Sequence, residues 1–414
     1  MKTFLAFLFA ATLAAYADDI DFNRAREIMQ RKNNGDTISA DDEAYLQRAK
    51  EEHRKRQMQN NPAQKPSDAP AAGSIDFKRA GELMQRKRSG ETLSAADEAF
   101  LQRAIAAHNA GRGGGNPGAR PADQRKTPEH LTPLCDMTAA DRYEGEDGGL
   151  YGGGQNTPPD AHRKAALAQL AKIRPLNADG QPDDNGVIGF VAISMSNATQ
   201  EFSKFKQIAD PSPRKSPKVA IVDCAQGGQA MAQWVPPDGR PWQEAKRRLN
   251  AARVSPAQVQ AAWIKLANVR PGGTLKEHCG KLEADTIAVL HNARAAFPNL
   301  RLAYLGSRIY AGYAKTPLNP EPYAYEGAFA VRSLIQRQIK GDADLAETKS
   351  PLLLWGPYLW ADGARGRKLD KLTYDPGDLG GDGTHPSETG RQKVAELLLN
   401  FLTTDPLAAP WFAK

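Results

Sequence analysis

Five apolar runs between residues 186 and 360 constrain this chain more than any other feature. They read GVIGFVAIS (186–194), VAIVDCA (219–225), QAAWIKLAN (260–268), LRLAYLGS (300–307) and PLLLWGPYLW (351–360). Each is short and nearly uninterrupted, the pattern of a strand buried on both faces. Helix-patterned stretches separate several of them, the clearest being CGKLEADTIAVLHNARAAF (279–297) and EGAFAVRSLIQRQIKG (326–341). Buried strands alternating with helices predict an α/β fold, a parallel central sheet with helices on both faces. In such sheets the functional residues gather just beyond the carboxyl ends of the strands.

Those ends carry polar groups in a definite order. The first strand runs into SMSNATQEF, which sets Ser196 at a strand-to-helix turn, where helix N–H groups support a developing anion. The second ends in AQGGQA, offering the backbone of Gly227 or Gly228. The third ends at Asn268, a side-chain donor. After the fifth, DLGGDGTHPSETGRQKVAELLLNFL (378–402) sets Asp382 and His385 three residues apart before a helix-like run. Taken singly, these are a helix cap, a turn, a loop-satisfying amide and a surface loop. Together they are the parts of an activated hydroxyl: nucleophile, oxyanion donors, and an imidazole oriented by a carboxylate. Ser194 and Ser203 are alternative hydroxyls.

This arrangement resembles the SGNH (GDSL-type) hydrolase family over roughly residues 186–405. Asp382-Gly-Thr-His385-Pro-Ser is similar to the family's Asp-x-x-His element and is the most specific match. Where the family has Gly-Asp-Ser, this chain has Ser194-Met195-Ser196, and Asn268 lacks the following Asp. The resemblance implies a flavodoxin-like three-layer fold. It also implies Ser196 as nucleophile, His385 as base, Asp382 as its orienting carboxylate, and Gly227 and Asn268 as the oxyanion hole. It implies no metal and no organic cofactor. Two long glycine- and aromatic-rich loops, 135–162 and 307–327, are expected to shape a sugar- or acyl-binding cleft or simply to pack. Tyr151, Arg308 and Tyr310, with Tyr143 and Tyr313, are the candidates there, and His162 is either a second pocket imidazole or a structural one.

The N-terminal third has a different organisation. MKTFLAFLFAATLAAYA, residues 1–17, has one early Lys, a short apolar run and a small-x-small ending, which reads as a secretory signal peptide cleaved before Asp18. No Cys stands at that point for a lipid anchor, and no later stretch is apolar enough for a transmembrane segment. The expected location is secreted or periplasmic. IDFNRAREIMQRKNNGDTISADDEAYLQRAKEEH (20–53) returns as IDFKRAGELMQRKRSGETLSAADEAFLQRAIAAH (75–108). In both copies helical spacing (Phe22, Ala25, Met29; Phe77, Ala80, Met84) precedes a turn with Gly35 or Gly90. Ser39 or Ser94 then caps a second helix, so each copy is a helical hairpin. The turns lack the alternating Asp/Asn ligands and final Glu of a calcium loop.

The predicted organisation is therefore signal peptide 1–17, hairpin repeat 18–53, linker 54–74, hairpin repeat 75–108, linker 109–125 and catalytic domain 126–414. A net charge of +7 without a dense Lys/Arg block interleaved with aromatics argues against nucleic acid as a partner. Three cysteines, Cys135, Cys224 and Cys279, allow at most one intramolecular bridge and match no zinc spacing. The expected function is an exported serine esterase acting on an ester substrate, an O-acyl group on a carbohydrate or cell-envelope polymer, with the repeats as attachment modules. The reading from another class is a non-catalytic binding or scaffold protein built on a degenerate domain of this kind. A nucleotide-binding α/β protein is a distant third reading, because no glycine-rich phosphate loop follows the first strand.

Overall fold

In the computed structural model the chain divides into two compact units, 1–115 and 116–414. It describes residues 128–414 throughout and, before them, 21, 24–25, 28, 39, 41–49, 79–80, 83, 94, 96–101 and 104. The signal-peptide stretch 1–17 and both linkers fall outside the described residues.

Within the first unit the two copies repeat their chemistry position by position. Ala25, Ile28, Leu46 and Ala49 form one small apolar cluster; Ala80, Leu83, Leu101 and Ala104 form another. Ser39 Oγ accepts the Asp42 N–H at 3.1 Å, and Ser94 Oγ accepts the Asp97 N–H at 3.2 Å, the cap expected from the sequence. Arg24 lies 4.5 Å from the Tyr45 ring centre and Arg79 lies 4.6 Å from that of Phe100. Phe22, Met29, Phe77 and Met84 lie outside the described residues.

The second unit runs α1 (Asp160–Leu170), β1 (Ile188–Ser194), α2 (Ser196–Ala209), β2 (Val219–Asp223), α3 (Met231–Trp234) and α4 (Arg240–Ala251). It continues through β3 (Val259–Lys265), α5 (Leu275–Ala296), β4 (Leu302–Leu305), α6 (Tyr323–Ile339) and β5 (Leu352–Trp355) to α7 (Glu388–Thr404) and α8 (Ala409–Phe412). All five strands are parallel, in the order β2-β1-β3-β4-β5. This is the flavodoxin-like order expected, with its switch point between β1 and β3.

Both faces are covered, so every residue of β1 and β3 is buried. Side chains alternate along each strand. Val191, Ile193, Ile264, Leu305 and Leu353 pack with α4, α5 and α6 on one side. Phe190, Ala192, Trp263, Tyr304 and Leu354 pack with α1, α2, α7 and α8 on the other. Helix α5 starts at Leu275, a turn before the 279–297 read from sequence. Thr274 caps it, with Thr274 Oγ1 accepting the Glu277 N–H at 3.3 Å and Glu277 Oε2 accepting the Thr274 N–H at 2.8 Å. Cys135, Cys224 and Cys279 are all buried free thiols. Among the described residues no helix is long and apolar enough to cross a membrane.

Candidate active site

Sheet register explains why residues far apart in sequence share one rim. Ser194, the last residue of β1, pairs with Lys265, the last of β3, while Ala192 pairs with Asp223 at the end of β2. Ser196, Gly227 and Asn268 therefore leave three adjacent strands at one edge. Their neighbours Met195, Ala230 and Ala267 form a small buried apolar cluster that joins the three loops. The Gln226 N–H donates to Ser194 O at 3.0 Å, and the Met231 N–H donates to Ala267 O at 3.3 Å.

The fourth component arrives from α7. That helix packs beside α2 on the same face of the sheet, and Lys204 on α2 meets Glu388 at the start of α7 at 2.7 Å. Three residues ahead of Glu388 stands His385. Its Nε2 lies 2.7 Å from Ser196 Oγ and its Nδ1 lies 2.6 Å from Asp382 Oδ2. With Nδ1–H donating to the carboxylate, Nε2 keeps its lone pair for the serine proton. Asp382 also accepts the N–H groups of Thr384 at 2.9 Å and His385 at 3.0 Å through Oδ1. Partial burial works to raise its pKa, but the His385 side-chain and backbone bonds outweigh it and hold the carboxyl well below the ordinary range.

The loop bearing this pair is tightly fixed. Gly383 adopts φ +65°, and a Cβ there would strike the Tyr313 carbonyl. The Lys315 N–H donates to Asp382 O at 2.9 Å, and the Gly380 N–H donates to His385 O at 2.7 Å. Between Gly383 and His385 the buried Thr384 turns its carbonyl to Asn197 Nδ2 at 2.7 Å.

Ser196 opens α2, a helix of 14 residues, and its N–H is one of the donors that an α-helix leaves without an intrahelical partner. Asn268 is buried; its carbonyl accepts Asn319 Nδ2 at 3.3 Å. Among the described residues its side-chain amide makes no hydrogen bond to the protein. Gly227 stands in an exposed turn with open space where a Cβ would be, whereas Gly228 has φ +72°. The other two hydroxyls are engaged elsewhere. Ser194 Oγ is fully buried and donates to Lys265 O; Ser203 Oγ donates to Asp223 Oδ2 at 2.9 Å. Neither meets an imidazole.

The aromatic loops divide. Tyr310 is half-buried, stacked edge-on with Tyr313 (5.1 Å between centres) and Trp360 (5.9 Å). Burial, with Glu321 adding to it, pushes the Tyr310 phenol up to about 12. Tyr313 reaches the triad through its backbone, against Gly383. Tyr151 packs at the β5 edge by Trp355, three strands across the sheet from β1. Tyr143 donates to Glu326 Oε1 at 2.8 Å. His162 is buried on α1 with Nε2 at 2.8 Å from Leu353 O, and burial lowers its pKa. Arg308, a candidate either for the cleft or for loop packing, is 3% exposed. The turn out of β4 carries it beneath the His385 loop, where Nη2 donates to Thr384 O at 3.4 Å and Nε has no partner.

Sequence reasoning passed over what lies beneath the rim. Glu201, one turn after Asn197 on the same face of α2, forms a fully buried ion pair with Lys265 at the end of β3. Burial lowers the Lys265 ammonium to about 8 against the opposing pull of Glu201. The visible cue was a lysine inside the apolar run QAAWIKLAN. Among the described residues no group of three or more His, Cys, Asp or Glu side chains is disposed to hold a metal ion.

No protein-family model matches the chain, and no curated protein matches its sequence. Among solved structures it is similar to a GDSL-like lipase from Bacteroides thetaiotaomicron VPI-5482, at 11% identity over 58% of this chain and 95% of that one, with a TM-score of 0.29. It is also similar to the periplasmic domain of a lipopolysaccharide acetyltransferase from Salmonella ser. Paratyphi A, at 14% identity over 59% and 96%, with a TM-score of 0.28. Likenesses this slight carry no argument about activity, which rests on the geometry above.

Proposed function

We propose that the protein is a serine hydrolase of SGNH type that cleaves carboxylic esters. The observation that carries this reading is the continuous chain from Ser196 Oγ through His385 to Asp382, with contacts of 2.7 and 2.6 Å. His385 Nε2 takes the Ser196 proton as Oγ attacks the ester carbonyl carbon. The Ser196 and Gly227 N–H groups and the Asn268 amide receive the charge that moves onto the carbonyl oxygen. Collapse breaks the bond to the alcohol oxygen, which takes the proton back from His385. Water, deprotonated by His385 in turn, then attacks the acyl-enzyme carbonyl; the bond to Ser196 Oγ breaks, Oγ takes the proton back from His385, and the acid leaves.

The substrate we propose is an O-acyl group on a carbohydrate or cell-envelope polymer. Three features support this: the signal-like N-terminus, the net charge of +7, and the half-buried Tyr310 and Tyr313 beside the triad loop, suited to stacking on a sugar. The protein is then exported, with its hairpin repeats as attachment modules. A fluorophosphonate probe tests the core of this reading. Labelling should vanish in Ser196→Ala and persist in Ser194→Ala and Ser203→Ala. Labelling that survives loss of Ser196 moves the nucleophile elsewhere. Turnover of acetylated sugars against aryl esters then separates carbohydrate from general esterase activity.

A further inference from the structure

We propose that Asn197 is a positioning residue: its side-chain amide clamps the Thr384 carbonyl and so sets the approach of His385 to Ser196, with Arg308 as a second donor on the same oxygen. The inference rests on the serine-hydrolase reading for its kinetic consequence, but not for its geometric one.

Thr384 O belongs to the peptide that leads directly into His385. Asn197 Nδ2 holds it at 2.7 Å and Arg308 Nη2 at 3.4 Å. Asn197 follows the proposed nucleophile in sequence, so one short side chain ties the nucleophile's helix to the base's loop. Asn197, Thr384 and Arg308 are all buried, so water does not readily substitute for any of them.

The Asp382–His385 pair cannot do this by itself. Every bond that Asp382 makes to His385 and Thr384 lies within the loop, and it orients the imidazole only relative to that loop. Where the loop stands relative to Ser196 is set by contacts that cross between elements. Lys315 and Tyr313 hold it from the β4–α6 connection, and Asn197 holds it from α2.

The clamp is itself braced. One turn along α2 from Asn197, Glu201 is locked to Lys265, and Lys265 O accepts Ser194 Oγ at the end of β1. Asn197 therefore projects from a helix turn that is fixed to the sheet and does not yield with the loop. A misplacement of about 1 Å between reacting groups costs roughly 10²-fold in rate, so a clamp on this peptide has kinetic weight.

Asn197→Asp in the full-length protein is the sharpest test. The variant is nearly isosteric, and a carboxylate in the first turn suits the helix dipole, so α2 itself is not weakened. Its oxygen faces the Thr384 carbonyl and repels it. On a small aryl ester kcat should fall roughly 10- to 100-fold with KM little changed. In a crystal structure of the variant, the Ser196 Oγ–His385 Nε2 separation should open beyond about 3.5 Å while the Asp382–His385 contact persists. Asn197→Ala, which removes the donor without repulsion, should move both readouts the same way by less, and it carries the test if the Asp variant does not fold. A purely structural role predicts a lower melting temperature with kcat and the Ser196–His385 contact intact in the folded protein; that result overturns the proposal. If wild-type protein neither labels nor turns over esters, the hydrolase reading fails by itself, and the Ser196–His385 separation in the variants still decides the clamp.

Discussion

Asn268 and the glycine pair, the proposed oxyanion donors, should respond differently to substitution. Asn268 is mostly buried, but its amide keeps some access to solvent and has no hydrogen-bond partner in the protein among the described residues, which leaves it free to meet a ligand oxygen. If it meets charge that develops only in the transition state, Asn268→Ala lowers kcat by roughly 10²–10³, about 2.7–4 kcal/mol, and leaves KM nearly unchanged. Asn268→Asp should be at least as damaging, since a carboxylate repels the oxyanion. Steady-state kinetics on one aryl ester decide it, and a folded Asn268→Ala enzyme that keeps most of its kcat removes Asn268 from the mechanism. Gly227 offers only its backbone, into open space, so Gly227→Ala should leave kcat nearly intact. Gly228→Ala forces an alanine to φ +72°, at a cost of about 1 kcal/mol in folding stability. At Asp382 the sign of the pH effect follows from a depressed pKa. Its contribution to stability is fully present above the ordinary carboxylate value of about 4 and is lost as pH falls through the lower folded value. Urea unfolding of wild type and Asp382→Asn should therefore show a stability gap near neutrality that narrows below about pH 4. A gap that stays constant with pH would mean that Asp382 is not held ionised by the fold.

Helix α2 concentrates most of the site's support, and the sequence showed only part of it. The strand-to-helix turn at Ser196 was legible because β1 is an unbroken apolar run, and the α7 approach was legible because Pro386 and Ser387 precede an amphipathic stretch. The Glu201–Lys265 pair was not, because residues 201 and 265 meet only through the pairing of β1 with β3, which is a tertiary fact. The burial of Arg308 was not legible for a related reason. A charged residue just past a strand is usually exposed, but the Asp382 loop, more than 70 residues on in the chain, closes over it. The buried pair yields an element-scale prediction. Removing one partner, as in Lys265→Met or Glu201→Gln, leaves a buried charge or carbonyl uncompensated and should destabilise the unit by about 3–5 kcal/mol. Removing both in well-packed apolar form should restore much of that loss, and a double-mutant cycle by chemical denaturation measures the coupling. Single variants as stable as wild type would show that water reaches the pair.

At the scale of the whole molecule, two copies of a sequence repeat precede a parallel α/β unit, for which we propose ester hydrolysis. The α/β architecture was legible from hydrophobic runs alone, since five buried parallel strands leave few other solutions. The lengths of the helices were less so, because caps such as Thr274 lie outside the apolar pattern. Among the described residues each repeat has its own apolar cluster, and the proposed catalytic groups all lie in the unit 116–414. Hairpins this short bury little area of their own, whereas the second unit has cores on both faces of its sheet. A shortened chain beginning at Lys126 should fold and keep its kcat/KM on a small soluble ester. If the modules attach the enzyme to its polymer, the same shortened chain should lose turnover on insoluble acylated polymer, since attachment raises the local concentration of substrate without changing the chemistry. Equal loss on both substrates, with the shortened protein still folded, would instead make the hairpins part of the site. No loss on either would leave them as spacers, and only the first pattern, soluble turnover kept and polymer turnover lost, fits a tether.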